Sequence, residues 1–514
     1  MTENISFGNN DLQVLSSSSD ILKPMSLSEA NTAAGAAFIS SAFPSWTNFF
    51  HKYLPRYTPT TIPYHNCPHQ TGTRNPAMTS KKSTEEVSKT LRPFTNVNEL
   101  DGFKRRKGSE IGCAALISGT TVGAGVLALP ASTAEVGFIG SSFALLMVWA
   151  YMVASALLIA EVSVETSCML GRSSGVSLLG MADVVFGRGA LRAFIGFVYG
   201  GLHYAILTAY VAQGGAVTRD ASGIFSQDSP AWLSQAVFAG LLGCIVYFGS
   251  EKITERVNSI LVAGVVTSFA VLAFSAGKNL DLLQLLTTGN LAKIPKAVPV
   301  LFVSLVFHNV VSNVTARLEG DFTKIRRVVV GGSLVPVVIF VIWNAVILNL
   351  ASELKAPAGS VDPLELLRVQ GGEVSELINA FSLFAISTSL IGFLVSLGDF
   401  VDDVRKTVFG EQPESVSRTR WLSFASTIVP PVIIAGTKPD IFYSALDTAG
   451  LYFISVLFGA VPALLAWRQR DQKGEARILR SQVKDRRLIL VGMVSVPLLL
   501  IGSKIISYSG LQLP

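Results

Sequence analysis

Charge is scarce in this chain. Only 15% of the 514 residues are Asp, Glu, Lys or Arg, and none lies between Ile111 and Ala134. Soluble domains carry about 25% charged residues, so a water-soluble enzyme is excluded. Cysteine is rarer still. Cys113, Cys168 and Cys244 sit in or beside apolar runs and Cys67 stands alone upstream, so there is no disulfide framework. A Walker A sequence, a nucleotide fingerprint, an H-E-x-x-H pair and a nucleophile elbow are all missing. Neither ATP-driven work nor hydrolytic chemistry is expected, and no cofactor. His65-Asn-Cys67-Pro-His69 offers ligand types without preorganised geometry, so no metal site is expected either. Segments of alternating polarity are lacking, which leaves helices rather than a barrel.

What the chain has in excess is apolar length. It is 50% hydrophobic with a mean hydropathy of +0.48, and a helix crosses the bilayer core with about 20 apolar residues. Eleven runs qualify: 111–134, 138–161, 193–218, 231–250, 257–277, 297–316, 328–352, 376–398, 421–437, 441–467 and 488–506. The ninth and eleventh are the shortest. The expected class is an all-α polytopic membrane protein with residues 108–514 as its membrane domain.

Positive charge separates the two sides. Lys104 to Lys107, the pair Lys252 and Arg256, Arg317 to Arg327 and the run Arg468 to Arg487 fall on the side shared with the N-terminus. The opposite connections hold only Arg219, Lys278, Lys293, Lys296, Lys355, Arg368 and Lys438. Such asymmetry retains the basic side in the cytoplasm or its equivalent. The net charge of +6 is therefore topological, and no nucleic-acid partner is expected.

Residues 1–107 are a different material, rich in Ser, Thr, Asn and Pro without a spanning run, and are expected to be disordered. No basic n-region with an apolar h-region marks a secretory signal. Between Ser26 and Thr84 one acid, Glu29, faces Lys52, Arg56, Arg74, Lys81 and Lys82, a balance that suits an organelle transit peptide. Glu3, Asp11 and Asp20 argue instead for a plain cytosolic tail. Both readings stay open.

Inside the first span lies Gly119-Thr-Thr-Val-Gly-Ala-Gly125. A break at mid-membrane depth frees N–H and C=O groups that hydrocarbon cannot satisfy, so it persists only where protein, water, an ion or a substrate completes them. Two half-helices meeting there turn amides toward an anion and carbonyls toward a cation, the complement of a zwitterion. The hydroxyls of Thr120 and Thr121 add donors. Gly123 and Gly125 allow close backbone approach around Val122 and Ala124, and Pro130 removes another donor. The competing reading makes Gly119-xxx-Gly123 a helix-packing face. An inverted repeat would place a partner break five helices later, where Phe307-His-Asn309 precedes Ser312, Asn313 and Thr315 in the sixth span. These polar residues face either a cavity or a neighbouring helix. His308 is either a proton carrier or a neutral donor to a carbonyl.

Coupling has several candidates. Glu161 closes the uncharged part of span 2, while Asp399 and Asp447 border spans 8 and 10. Ser387, Thr388 and Ser389 could instead complete a sodium site against carbonyls of span 1, since hard cations take oxygen ligands.

Ser118-Gly-Thr-Thr-Val-Gly-Ala-Gly-Val-Leu-Ala-Leu-Pro130 resembles the opening signature of the tryptophan/tyrosine permease family, the hydroxy- and aromatic amino acid permeases of bacteria and plants. Phe307-His-Asn-Val-Val311, Leu318-Glu-Gly-Asp321, Ser396-Leu-Gly-Asp-Phe-Val-Asp-Asp403, Ala445-Leu-Asp-Thr-Ala-Gly450 and Pro462-Ala-Leu-Leu-Ala-Trp467 agree in order. The resemblance covers about residues 108 to 514. It implies eleven spans, with spans 1–5 and 6–10 as inverted repeats of the leucine-transporter type plus one extra helix. It also implies proton-coupled uptake of Tyr, Trp or Phe. Backbone from Thr120 to Gly125 would hold the carboxylate, and backbone of Phe307, His308, Asn309 and Val310 the amino group. One departure is Ser312, where the family commonly has proline, which predicts a shallower break in span 6. With the tail, the resemblance suggests a plant organellar member in the chloroplast inner envelope, with the plasma membrane or another organelle as alternatives. A sodium-coupled neutral amino acid transporter and a non-transporting receptor or scaffold are the rival functions. A channel is disfavoured because no ring of charges or filter repeat is visible.

Overall fold

Short-range chemistry fixes where the apolar runs become helices. The computed structural model describes residues 109–170, 175–222, 225, 229–276, 281–287, 289–353, 372–409, 416–473 and 487–508. The N-terminal tail, its transit-peptide reading and the His65-Cys67-His69 group lie outside them. Span 1 opens at Ser109, whose side chain accepts from the Gly112 amide at 3.5 Å, with Glu110 in the first turn. Span 7 opens at Asp321, whose Oδ1 accepts from the amides of Thr323 at 3.1 Å and Lys324 at 3.2 Å. Burial works against that charged carboxyl, but the hydrogen bonds and the Lys324 ammonium outweigh it and hold the group below the usual carboxylate range. Just before it, Glu319 (φ 55°) and Gly320 (φ 71°) take left-handed backbone, and the Gly320 amide closes on the Thr315 carbonyl at 3.0 Å. Leu318-Glu-Gly-Asp321 is therefore a turn followed by a cap.

The spans run as follows: 1, Glu110–Thr121 with Ala124–Thr133; 2, Gly137–Leu170; 3, Ala190–Ser222; 4, Ala231–Phe248; 5, Glu251–Ala276. The second repeat follows: 6, Leu291–Ser304 with His308–Arg317; 7, Phe322–Glu353; 8, Gly372–Phe409; 9, Val416–Thr437; 10, Pro439–Asp471. Span 11 is Arg487–Tyr508. Short helices Leu178–Phe186 and Leu282–Thr287 cross the connections before spans 3 and 6. No strand occurs among the described residues. Span 9 is the least apolar of the set, with Pro430 and Pro431 inside it.

Several spans are longer than expected. Span 2 was expected to stop at Glu161 and instead reaches Leu170, 34 residues in all, or about 51 Å against a hydrocarbon core of about 30 Å. Reading the first carboxylates as the helix end was the error. Glu161 and Glu165 are both 3% exposed, and Arg470 forks onto Glu161 with Nε to Oε1 at 3.1 Å and an Nη to Oε2 at 3.0 Å. A charge inside protein with its counter-ion does not end a helix.

The packing repeats with a two-fold relation. Spans 3 and 8 pack together, as do 4 and 9, 2 and 7, and the broken pair 1 and 6. The first half of span 1 lies on span 7, and span 6 answers by lying on span 2. Span 5 packs on span 8, and span 10 likewise on span 3. Span 10 is the most enclosed, 83% buried, while spans 5 and 11 are only 17% buried. Their outward Ile260, Phe274, Leu498 and Leu499 are exposed as lipid contacts would be.

Candidate functional site

The first span breaks where the glycines stand. Its α-helix ends at Thr121, Val122 leaves helical geometry (φ −75°, ψ 88°) and Gly123 is extended (φ −138°, ψ −167°). The chain resumes as a 3-10 turn over Ala124–Ala128, bent by 42°. Each interruption in the backbone ladder meets a serine. The Ala124 amide donates to Ser389 Oγ of span 8 at 2.9 Å. Ser304 of span 6 shares its hydroxyl proton between the Gly125 carbonyl at 3.0 Å and the Val300 carbonyl at 2.9 Å.

The glycines make these approaches possible. A Cβ on Gly123 would collide with Ser389 Oγ, and one on Gly125 would sit 3.0 Å from Ser304 Cα. Gly119 has nothing within 4 Å of such a Cβ, so no packing seam runs through Gly119 and Gly123. Thr120 and Thr121 behave differently from expectation. Their hydroxyls donate back to Leu116 and Ile117 carbonyls at 2.7 Å, so those protons are already used inside the helix.

Span 6 breaks over Leu305 to Phe307 with a 40° bend. The bend is close to the 42° of span 1, although Ser312 stands where the resemblance expects proline. The interruption comes upstream, where the Val306 amide reaches the Val303 carbonyl only at 3.4 Å and Phe307 caps the second half with φ −138° and ψ 8°. Ser304 bonding back to Val300 favours bending there, while Ser312 lies well inside continuous helix. The His308 ring is 2% exposed and stacked between Phe307 at 5.0 Å and Phe458 at 4.8 Å. Neither ring nitrogen reaches a full hydrogen bond, although the Met152 backbone faces the ring. Asn309 and Val310 are half-buried in the following turn.

Phe458 belongs to a π-helical stretch, Ala449–Ala460, in span 10. Wide helices of this kind shift side-chain register and gather at functional sites. Here the Phe458 carbonyl accepts from Ser155 of span 2, and Gly450 lets the π segment press on the Pro299 carbonyl of span 6. Span 10 thus buttresses the second break.

Of the other candidates, Glu161 is tied to Arg470 away from both breaks. Ser387 is buried, and Thr388 donates to Ala385 at 3.1 Å in its own helix. Ser389 is the member of that trio that touches span 1. Asp447 pairs with Lys504 at 3.2 Å, and Asp399 is exposed. Sequence reading missed Ser304, Tyr210 and Phe458. Tyr210 of span 3 is 3% exposed with its hydroxyl in hydrogen-bond reach of Ser389; a tyrosine near the middle of an uncharged span was its one signal.

The family model described as the tryptophan/tyrosine permease family matches residues 106–501. Tyrosine-specific transport system 2 of Haemophilus influenzae is 27% identical over 384 residues, 71% of this chain and 89% of that protein. The tryptophan-specific transport protein of the same organism is 28% identical over 416 residues, 77% of this chain and 96% of its own. Glutamine transporter 2 of Aliivibrio fischeri is 22% identical over 348 residues, 67% of this chain and 85% of its own. Among solved structures, MhsT in complex with L-phenylalanine aligns with a TM-score of 0.56 at 16% identity, covering 77% of this chain and 100% of that one.

Proposed function

Because this chain belongs to the tryptophan/tyrosine permease family, we propose that it moves an aromatic amino acid, tyrosine, tryptophan or phenylalanine, through the paired breaks of spans 1 and 6 in symport with a proton. The Ala124 amide supports this reading most directly: at the break it finds no helical acceptor and is held by a serine hydroxyl from another span. A substrate carboxylate takes the place of that hydroxyl, with Gly125 beside it, and the paired hydroxyls of Ser389 and Tyr210 offer one proton to the second oxygen. The ammonium faces the carbonyl end of the first half of span 6, at Ser304 to Phe307. Phe307, His308 and Phe458 offer an aromatic wall for the side chain. Relatives named for tyrosine and tryptophan support the substrate class, and the one named for glutamine makes glutamine the informative competitor.

Purified protein in vesicles with an imposed pH gradient is expected to accumulate labelled tyrosine or tryptophan. No accumulation of any of the three aromatic amino acids would count against proton symport. Sodium coupling is the second reading, favoured by Ser389 lying against span 1 beside Ser387 and Thr388; accumulation driven by a sodium gradient at equal pH would establish it. We further place the protein in the chloroplast inner envelope, residues 1–107 acting as a transit peptide. Residues 1–105 fused to a fluorescent protein should enter plastids, and a fusion that stays cytosolic refutes this.

A further inference from the structure

We propose that His203 of span 3 takes up the coupling proton, on Nε2; this deepens the proton-symport reading above and rests on it. His203 is fully buried, and its Nδ1 lies 2.8 Å from the Tyr199 carbonyl. A carbonyl only accepts, so Nδ1 carries the hydrogen and the neutral ring presents a lone pair at Nε2. Among the described residues that buried Nε2 has no hydrogen-bond partner, a rare condition in folded proteins. The ring lies 4.3 Å from Tyr199 and 5.3 Å from Phe393, aromatic neighbours suited to a cation.

Position links this nitrogen to the substrate. His203 and Tyr210 sit two turns apart on span 3, about 10 Å along its axis, and Phe393 touches both rings, reaching Tyr210 at 5.9 Å. Tyr210 in turn reaches Ser389, which holds the Ala124 amide. A charge at His203 therefore lies one layer of side chains from the carboxylate position. His308 is the weaker acceptor of a proton, because a charged ring there would hold two N–H groups short of full hydrogen bonds, whereas His203 would add one.

Two carboxylates of span 8 bear on the ring that His203 packs against, and the other named groups around span 3 are engaged elsewhere. Asp399 and Asp403 of span 8 act on Tyr199, one turn away. Asp402 bonds Ser423 at 3.1 Å, and Tyr247 of span 4 donates to the Leu394 carbonyl at 2.7 Å. Tyr204 of span 3 donates to the Ser426 carbonyl of span 9 at 2.9 Å, and Asp447 of span 10 pairs with Lys504. The step is a bare proton transfer: Nε2 gains a proton from water on the acidic side and returns it to water on the other, with no covalent bond to heavy atoms formed or broken.

The test uses the full chain in vesicles and His203→Asn, whose amide keeps a donor toward Tyr199 and cannot take a proton. Exchange of labelled for internal unlabelled tyrosine, without a gradient, should stay within threefold of wild type. Accumulation driven by a pH gradient should fall at least tenfold. Undiminished pH-driven accumulation overturns the proposal. Loss of exchange together with drive gives His203 a packing role and overturns it too. If the Asn variant is not recovered monodisperse, His203→Phe, which keeps the aromatic packing, carries the same expectations. Wild-type protein that ignores the pH gradient refutes proton symport itself, a different outcome.

Discussion

Gly123 and Ser389 form a pair whose coupling can be worked from geometry. In Gly123→Ala the new methyl meets the Ser389 hydroxyl, with Ser389 Cβ behind it at 3.6 Å. Such overpacking costs about 1–3 kcal/mol. Pushing the hydroxyl aside also breaks the 2.9 Å bond from Ala124 N–H, worth about 1 kcal/mol more. Ser389→Ala alone loses that bond and the contact with Tyr210, without any overpacking. In the double variant the methyl at position 123 faces Cβ at 3.6 Å, an ordinary contact, so the overpacking disappears and the bond is lost once. The double variant should therefore be more stable than Gly123→Ala, and its cost should fall below the sum of the singles by more than about 1 kcal/mol. Thermal unfolding of the detergent-purified protein, with equilibrium binding of labelled tyrosine in parallel, measures this. Gly119→Ala, which enters open space, is the control and should stay within about 0.5 kcal/mol of wild type. Additivity within about 0.5 kcal/mol refutes the contact. A Gly119→Ala effect as large as that of Gly123→Ala would restore the helix-packing reading.

Arg470→Ala leaves Glu161 buried without its fork and should destabilise by about 3–5 kcal/mol, with Glu161→Gln in the same chain recovering part of the loss; an unchanged melting temperature argues against a buried pair. Asp321→Ala removes the cap of span 7 and should cost about 1 kcal/mol. Since the folded state holds this carboxyl below its ordinary range, its contribution is full above the unfolded value and is lost as pH falls through the lower folded one. Acid-side melting curves should accordingly converge for wild type and Asp321→Asn, and a gap that widens with acid refutes the assignment. Glu135 lies between spans 1 and 2, its carboxyl held low first by a hydrogen bond from Lys293 and then by the charge of Lys296. The pair is 3.2 Å apart with both side chains 38% exposed, so Glu135→Gln should change stability by less than about 1 kcal/mol, and the difference should shrink in high salt.

The class of this protein was legible because hydrocarbon enforces a single rule on every spanning segment: apolar side chains outside, backbone bonds within the helix. The same rule exposed the break in span 1, since Gly123 and Gly125 have no reason to interrupt an apolar run unless something else meets the backbone there. Span 6 was legible for a weaker reason. Phe307-His-Asn309 marked the region, but not Ser304, which stands just before the break and bonds to Val300 and to Gly125 of another span. The length of span 2 was misread because a lone carboxylate in sequence looks like a helix end, and Arg470 lies far along the chain.

The chain alone therefore determined that the fold is helical throughout its apolar runs and where two of the helices cannot stay helical, because those depend on the solvent around each segment. Tertiary structure decided which groups complete the broken backbone, that Thr120 and Thr121 spend their hydroxyl protons internally, and that Ser389, Ser304, Tyr210 and Phe458 surround the gap. Hydrogen bonds and ring contacts act over a few ångströms, and residues from spans 1, 3, 6, 8 and 10 come that close only after the repeats have packed.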